Sequence, residues 1–242
     1  MATFGSMQTQ RRKLIDHYVS IFRGLDYTLV DKVMTYTECL KSPTSHEISM
    51  STFISEMAFR FKLTNSFMIS LIFNNINNCR GGSRKSVTVE EYSRMICIFL
   101  TSDVDIKINF VFDVYDLDSD GLLTKLEVHT LLMTTISQAG DEQDEMLKDL
   151  IEIVMKVVDR DGSGTIDLSE FRDLVKKDVL YIELLGQVIP DDTGIQMFKN
   201  SFLKKTDKQM KDFFARERAK NVVSCSDTQK EETYYPLKLE CD

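Results

Sequence analysis

Two stretches of twelve residues, Asp116–Glu127 (DLDSDGLLTKLE) and Asp159–Glu170 (DRDGSGTIDLSE), constrain this chain more than anything else in it. In the first, Asp116, Asp118 and Asp120 set a carboxylate at every other residue, Gly121 allows a sharp turn, and Glu127 stands at the twelfth position. The second repeats the order with Asp159, Asp161, Ser163, Gly164, Thr165, Asp167 and Glu170. Side-chain oxygens at alternate positions of a tight loop, a backbone carbonyl at the seventh and a long carboxylate closing from the end describe an oxygen cage for a hard divalent cation. Leu122 and Thr165 supply the two carbonyls; Thr124 ligates directly or through a water, and Asp167 holds the same place in the second stretch.

Such a cage fits Ca²⁺, which takes six to eight oxygens at about 2.3–2.6 Å, and only glutamate is long enough to reach back bidentately from the twelfth position. Leu123 and Ile166 occupy the eighth positions, where two EF-hand loops join in a short antiparallel ladder, so the loops are expected back to back. The expectation is two Ca²⁺ ions, with Mg²⁺ as the alternative occupant at rest. Each loop concentrates four carboxylates, Asp116, Asp118, Asp120 and Glu127 or Asp159, Asp161, Asp167 and Glu170, and their mutual repulsion is relieved by a cation.

The remaining chain repeats the same unit without its ligands. From Gln8 to Leu40, apolar residues at three- and four-residue spacing predict two helices breaking near Gly24, and Arg11, Arg12 and Lys13 read as a solvated helix end. Lys41–Thr52 keeps an eighth-position aliphatic, Ile48, but puts Lys41, Pro43, His46 and Thr52 where the first aspartate, third-position oxygen, turn glycine and closing glutamate belong. His46 is therefore an exposed loop residue. After Thr64, read as an N-cap, an apolar helix leads into Asn77–Glu91, where Val87 and Glu91 hold the eighth and twelfth positions but Arg80, Arg84 and Lys85 oppose an ion. The fold expected is all-α: two pairs of EF-hand helix–loop–helix units, two degenerate and two calcium-binding, with an extra C-terminal helix and a flexible tail. Its divisions fall at 1–103, 104–190 and 191–242.

The active pair is expected to run from a helix at Ile106–Tyr115, through a mobile connector at Gln138–Asp144, to helices at Met146–Val158 and Phe171–Leu185. Leu131, Leu132, Met133, Met146, Leu150, Val154, Met155, Leu174 and Val175 are candidates for an apolar groove, although each is individually expected to be core. Beyond Pro190, Asp191–Gly194 reads as a turn, and a basic helix follows from Phe202 to Ala219. Its apolar residues Leu203, Met210, Phe213 and Phe214 lie back in the groove between the hands, anchor a partner, or belong to a mostly solvated terminal helix. Val222–Asp242 is polar and expected to be disordered.

Composition removes several classes of function. A net charge of −8 argues against a general nucleic-acid binder, and five scattered cysteines without ligand spacing suit reduced thiols in an intracellular protein. No apolar run, signal layout or second-position glycine points to a membrane anchor. No nucleophile–base pair or phosphate-cradling loop is visible, and His17, His46 and His129 are isolated, so no enzyme is expected.

Over roughly Met50 to Phe198 the chain resembles the calaxin family of axonemal calcium sensors. The residues that carry the likeness are Phe61-Lys62-Leu63-Thr64, the run Val111-Phe112-Asp113-Val114-Tyr115-Asp116, and Asp178-Val179-Leu180 continuing through Leu184-Leu185-Gly186 to Pro190-Asp191. The resemblance implies association with outer dynein arms, their docking complex or tubulin on ciliary doublet microtubules, in the cytoskeleton of a cilium or flagellum, with calcium tuning motility. The ligand-poor second hand and the basic C-terminal region depart from that pattern. The alternative reading is a regulatory subunit of an enzyme or channel, similar to calcineurin B or the calcium- and integrin-binding proteins; a plain calcium buffer is disfavoured by the basic C-terminal stretch.

Overall fold

The computed structural model describes residues 4–77, 84–135 and 141–224. It shows four successive helix–loop–helix units, α2 (Tyr27–Leu40) with α3 (Met50–Phe61), α4 (Ser66–Ile76) with α5 (Val89–Leu100), α6 (Val104–Tyr115) with α7 (Lys125–Thr135), and α8 (Asp141–Val158) with α9 (Leu168–Lys177). Helix α1 (Phe4–Ile21) precedes them, and α10 (Asp192–Phe198) and α11 (Asp207–Ser224) follow. This is an all-α EF-hand fold in which the only sheets among the described residues are two short ladders.

The ladders pair the loops in twos. Strand β1 (Ile48–Ser49) lies antiparallel to β2 (Ser86–Val87) with Ile48 opposite Val87, and β3 (Leu122–Thr124) pairs with β4 (Thr165–Asp167) with Leu123 opposite Ile166. All four eighth-position aliphatics are buried, so the ladder is part of the core whether or not its loop carries ligands. His46 takes the sixth-position turn of the first loop with φ 59°, a left-handed conformation in a residue with a Cβ, and its side chain is exposed as expected.

Several boundaries differ from the sequence reading, each for a local reason. The N-cap of α4 is Asn65, whose Oδ1 accepts from the amides of Phe67 (3.0 Å) and Met68 (3.2 Å), and not Thr64. Helix α8 starts at Asp141, inside the stretch expected to be a connector; Gln138–Gly140 lie outside the described residues. Helix α9 stops at Lys177 instead of running to Leu185. Asp178, at φ −149°, leaves the helix and its side chain accepts from Leu180 N (3.0 Å), starting a 3₁₀ turn over Val179–Glu183. Asp191–Gly194 is a helix start and no isolated turn, because Asp191 Oδ1 caps Gly194 N at 2.6 Å. Arg11 is likewise no solvated end: its guanidinium binds Asp31 (2.8 Å), Glu38 (3.0 Å) and the Thr35 hydroxyl (2.8 Å), clamping α1 to α2.

The C-terminal region folds back onto α2 and α3 of the first unit. After α10 the chain makes a π turn over Lys199–Leu203, and the helix expected from Phe202 begins only at Asp207. Tyr36 of α2 meets the rings of Phe198, Phe202 and Phe214 at 5.0, 4.9 and 5.6 Å, and Phe61 of α3 stacks on Phe198 at 4.8 Å. Arg60 lies over the rings of Phe202 and Phe213 at 4.9 and 5.5 Å. Leu203, Met210 and Phe214 are buried and Phe213 half-buried, so the apolar face is neither solvated nor free: it folds back, against α2 and α3. Lys204, Lys208, Lys211 and Arg216 remain on the solvent side. Val222–Ser224 extend α11, and the rest of the tail expected to be disordered lies outside the described residues.

The return is tightest at Gly194, where an added Cβ would sit 2.5 Å from the Phe61 carbonyl oxygen. Gly→Ala in a helix ordinarily stabilises by about 1 kcal/mol. Here the backbone clash reverses the sign: Gly194→Ala is expected to destabilise by about 1–3 kcal/mol, measured as a lower urea midpoint.

Candidate metal centre

The two acidic loops fold alike, atom for atom in much of their backbone. In the third loop Asp116 Oδ1 accepts from Ser119 N (2.6 Å) and Oδ2 from Gly121 N (3.0 Å); in the fourth, Asp159 Oδ1 accepts from Gly162 N (2.8 Å) and Oδ2 from Gly164 N (2.9 Å). The turn glycines Gly121 and Gly164 share φ +86°, a conformation that side chains rarely adopt. The closing glutamates behave the same way. Glu127 Oε1 accepts from Leu117 N at 2.7 Å and its Oε2 from Thr124 N at 2.8 Å; Glu170 Oε1 accepts from Arg160 N at 2.7 Å and its Oε2 from Asp167 N at 3.1 Å. Each glutamate thus spans its loop from the second position to the ninth.

Carboxylate oxygens of Asp116, Asp118 and Glu127 lie within 4.8 Å of one another, as do those of Asp159, Asp161 and Glu170. Asp116 and Glu127 are each only 6% exposed, whereas Asp159 and Glu170 are half-buried and both third-position aspartates are exposed. The other residues expected at the sites lie around these trios. Asp120 Oδ1 accepts from Leu122 N (2.8 Å), the Thr124 hydroxyl donates to Glu127 Oε2 (2.9 Å), and the Ser163 hydroxyl donates to the Thr165 carbonyl (3.0 Å). Asp167 caps α9 by accepting from Glu170 N (2.8 Å), and Leu122 and Thr165 stand in the ladder. The Ser163 amide, donating to Asp161 Oδ1 at 2.9 Å, holds that carboxyl below its ordinary range.

Packing carboxylates this close while burying part of the set is unfavourable unless positive charge is supplied. Hard-oxygen donors converging from one loop, with backbone amides fixing the aspartates, fit a divalent cation of the Ca²⁺ type. The helices that carry the loops are held by their own contacts. Asp105 at the start of α6 binds Lys176 (2.9 Å) and Arg172 (3.3 Å) of α9, and the Lys176 bond first, with the nearby charges of Lys176 and Arg172, holds its carboxyl low. Tyr115, immediately before Asp116, is buried and donates its hydroxyl to the Gly186 carbonyl at 2.6 Å, close also to that of Ile182 at 3.2 Å. That bond ties the start of the third loop to the segment leading into α10, a link that periodicity and spacing gave no sign of.

The EF-hand domain pair family matches residues 105–176, which span both acidic loops. Among curated proteins, Calaxin from Danio rerio is 25% identical over 185 residues, covering 71% of this chain and 87% of the relative. Calaxin from Homo sapiens is 28% identical over 146 residues, covering 60% and 68%. The chain is a calaxin-like EF-hand protein. The type 2 form of calcineurin B from Rattus norvegicus is 34% identical over a shorter 74 residues, 31% of this chain and 41% of the relative. These likenesses and the acidic trios mark the calaxin-like chain as a calcium-binding regulatory protein. No helix among its described residues is long and apolar enough to cross a membrane.

Of the apolar residues proposed for a groove, Leu131, Leu132, Val154, Met155, Leu174 and Val175 are buried and Leu150 is half-buried, while Met133 and Met146 are exposed. Most of that set is core.

Glu127 receives only donors, so the amide NH₂ of a glutamine would face other N–H groups. At saturating calcium, Glu127→Gln is expected to lower stability by about 1–3 kcal/mol in urea melts, and Glu170→Gln by less because its surroundings are wetter.

Proposed function

We propose that the protein is a calcium-responsive regulator of the ciliary or flagellar axoneme, associated with the outer dynein arm or its docking complex on doublet microtubules. The observation that carries the calcium part is the convergence of two carboxylate trios in a single back-to-back pair of loops. The axonemal part rests on the likeness to calaxins. The ligands assigned are Asp116, Asp118, Asp120, Leu122, Thr124 and Glu127 for one ion and Asp159, Asp161, Ser163, Thr165, Asp167 and Glu170 for the other, with Mg²⁺ competing at rest.

Calcium in these loops supplies the positive charge that offsets four carboxylates in each. The protein's own residues do the rest. Glu127 and Glu170 close across their loops from the first turns of α7 and α9, so a change in how tightly they are drawn in moves those helices. The unit from 104 to 190 is the responsive one; the unit from 1 to 103, with no carboxylate trio among its described residues, is its mount, and within the division 191–242 helices α10 and α11 pack against that mount and offer a basic face to partners.

Calorimetric titration with Ca²⁺ tests the assignment. Two ions are expected for the wild type, one for Glu127→Gln and one for Glu170→Gln, and unchanged stoichiometry in either variant sinks the ligand set. A second reading, a regulatory subunit of a phosphatase, kinase or channel, is supported by the 34% identity to the type 2 form of calcineurin B. Calcium-dependent capture from ciliated cells decides between them: dynein-arm or docking proteins favour the first, and an enzyme or channel segment the second.

A further inference from the structure

The second loop ends in a glutamate, Glu91, at the twelfth position, and that glutamate already has a cation. Both terminal guanidinium nitrogens of Arg84 bind it, Nη1 to Oε1 at 3.0 Å and Nη2 to Oε2 at 3.0 Å. Counting back from Glu91, Arg84 stands at the fifth position, where the acidic loops carry Asp120 and Ser163. Glu91 otherwise sits as Glu127 does. Its Oε2 accepts from Thr88 N, the ninth position, at 2.7 Å, and the Thr88 hydroxyl caps Glu91 N at 3.1 Å. The same guanidinium approaches Glu47 of the first loop at 3.9 Å, and Glu47 in turn accepts a hydrogen bond from the Ser86 hydroxyl beside the β1–β2 ladder. The first loop has Thr52 at its twelfth position and so brings no closing carboxylate of its own.

We propose that Arg84 is the resident cation of the second hand: its planar fork neutralises and draws in Glu91, ties the first loop through Glu47, and holds the N-terminal pair in one loop geometry at every calcium concentration. Two features make this more than a surface ion pair. The contact is bidentate, which suits a guanidinium and a carboxylate and nothing less directional. It is also sheltered, with side-chain exposures of 35% for Arg84 and 22% for Glu91, and it closes a loop whose amides enter the ladder. The inference rests on the EF-hand reading of the loop but not on calcium binding at the other two.

Amide hydrogen exchange over Ser86–Tyr92, measured on the full chain in chelator and in calcium, tests it. In chelator, Arg84→Gln is expected to speed exchange there about three- to tenfold, Glu91→Gln comparably, and the double variant no further, because both break one interaction. Arg84→Lys keeps the charge but loses the fork, and should fall between wild type and Arg84→Gln. Calcium should leave wild-type exchange in this segment unchanged. Additive effects of the two single variants, wild-type exchange in Arg84→Gln, or slowing of Ser86–Tyr92 by calcium in the wild type would each overturn the proposal. Failure of the calcium reading would register elsewhere, as no calcium effect over 116–127 and 159–170.

Discussion

A glutamate that reaches back across a twelve-residue loop brings negative charge into a small, partly dry volume, and the loop holds that geometry only when the charge is offset. The four hands of this chain meet that constraint in three ways. The first has Thr52 at the position and brings no charge. The second has Glu91 and sets Arg84 against it. The third and fourth have Glu127 and Glu170, each with more carboxylates converging on it. On the proposed reading, only these last two depend on an ion from solution.

The division has a mechanical side. The N-terminal pair is braced by Arg11 across α1 and α2, by the β1–β2 ladder, and by the aromatic cluster that Phe198, Phe202 and Phe214 build with Tyr36 and Phe61. An element so extensively packed does not deform gradually. The buried Tyr36 hydroxyl donates to Glu56, a carboxyl that burial pushes above its ordinary range, and Arg60 binds the same carboxyl at 3.3 Å. This polar cluster lies beside the cation–π contacts of Arg60 and so belongs to the seat of the C-terminal region. In the other half, the bond from Tyr115 to Gly186 joins the third loop to the chain that leads into that seat, a covalently short route between the acidic loops and the mount.

Local chemistry carried much of this into the sequence. Ligand spacing located both acidic loops, and the eighth-position aliphatics foretold the ladder between them, Leu123 with Ile166; Ile48 pairs with Val87 in the same way. Those features are repeated, short-range and tied to one geometry. What escaped was decided by competition between neighbours or by contacts far apart in the chain. Thr64 and Asn65 are both good caps, and only the structure shows which side chain turns onto the amides. Asp178 could have continued a helix but caps a new turn instead. The basic residues of the second loop announced that an ion was unwelcome, yet nothing in their order said that Arg84 would grip Glu91. The apolar residues of the last helix fitted folding back, partner binding or a solvated helix equally well until Tyr36 and Arg60 were seen across from them.

The central claim is that positive charge comes from solution in two hands and from the chain itself in one. A crystal structure of the full chain grown in calcium, with anomalous scattering recorded to locate ions, tests it most directly. The account predicts one peak among Asp116, Asp118 and Glu127, one among Asp159, Asp161 and Glu170, and Arg84 still bidentate on Glu91. A peak against Glu91 with Arg84 swung away, or a bare pair of acidic loops at saturating calcium, would contradict it.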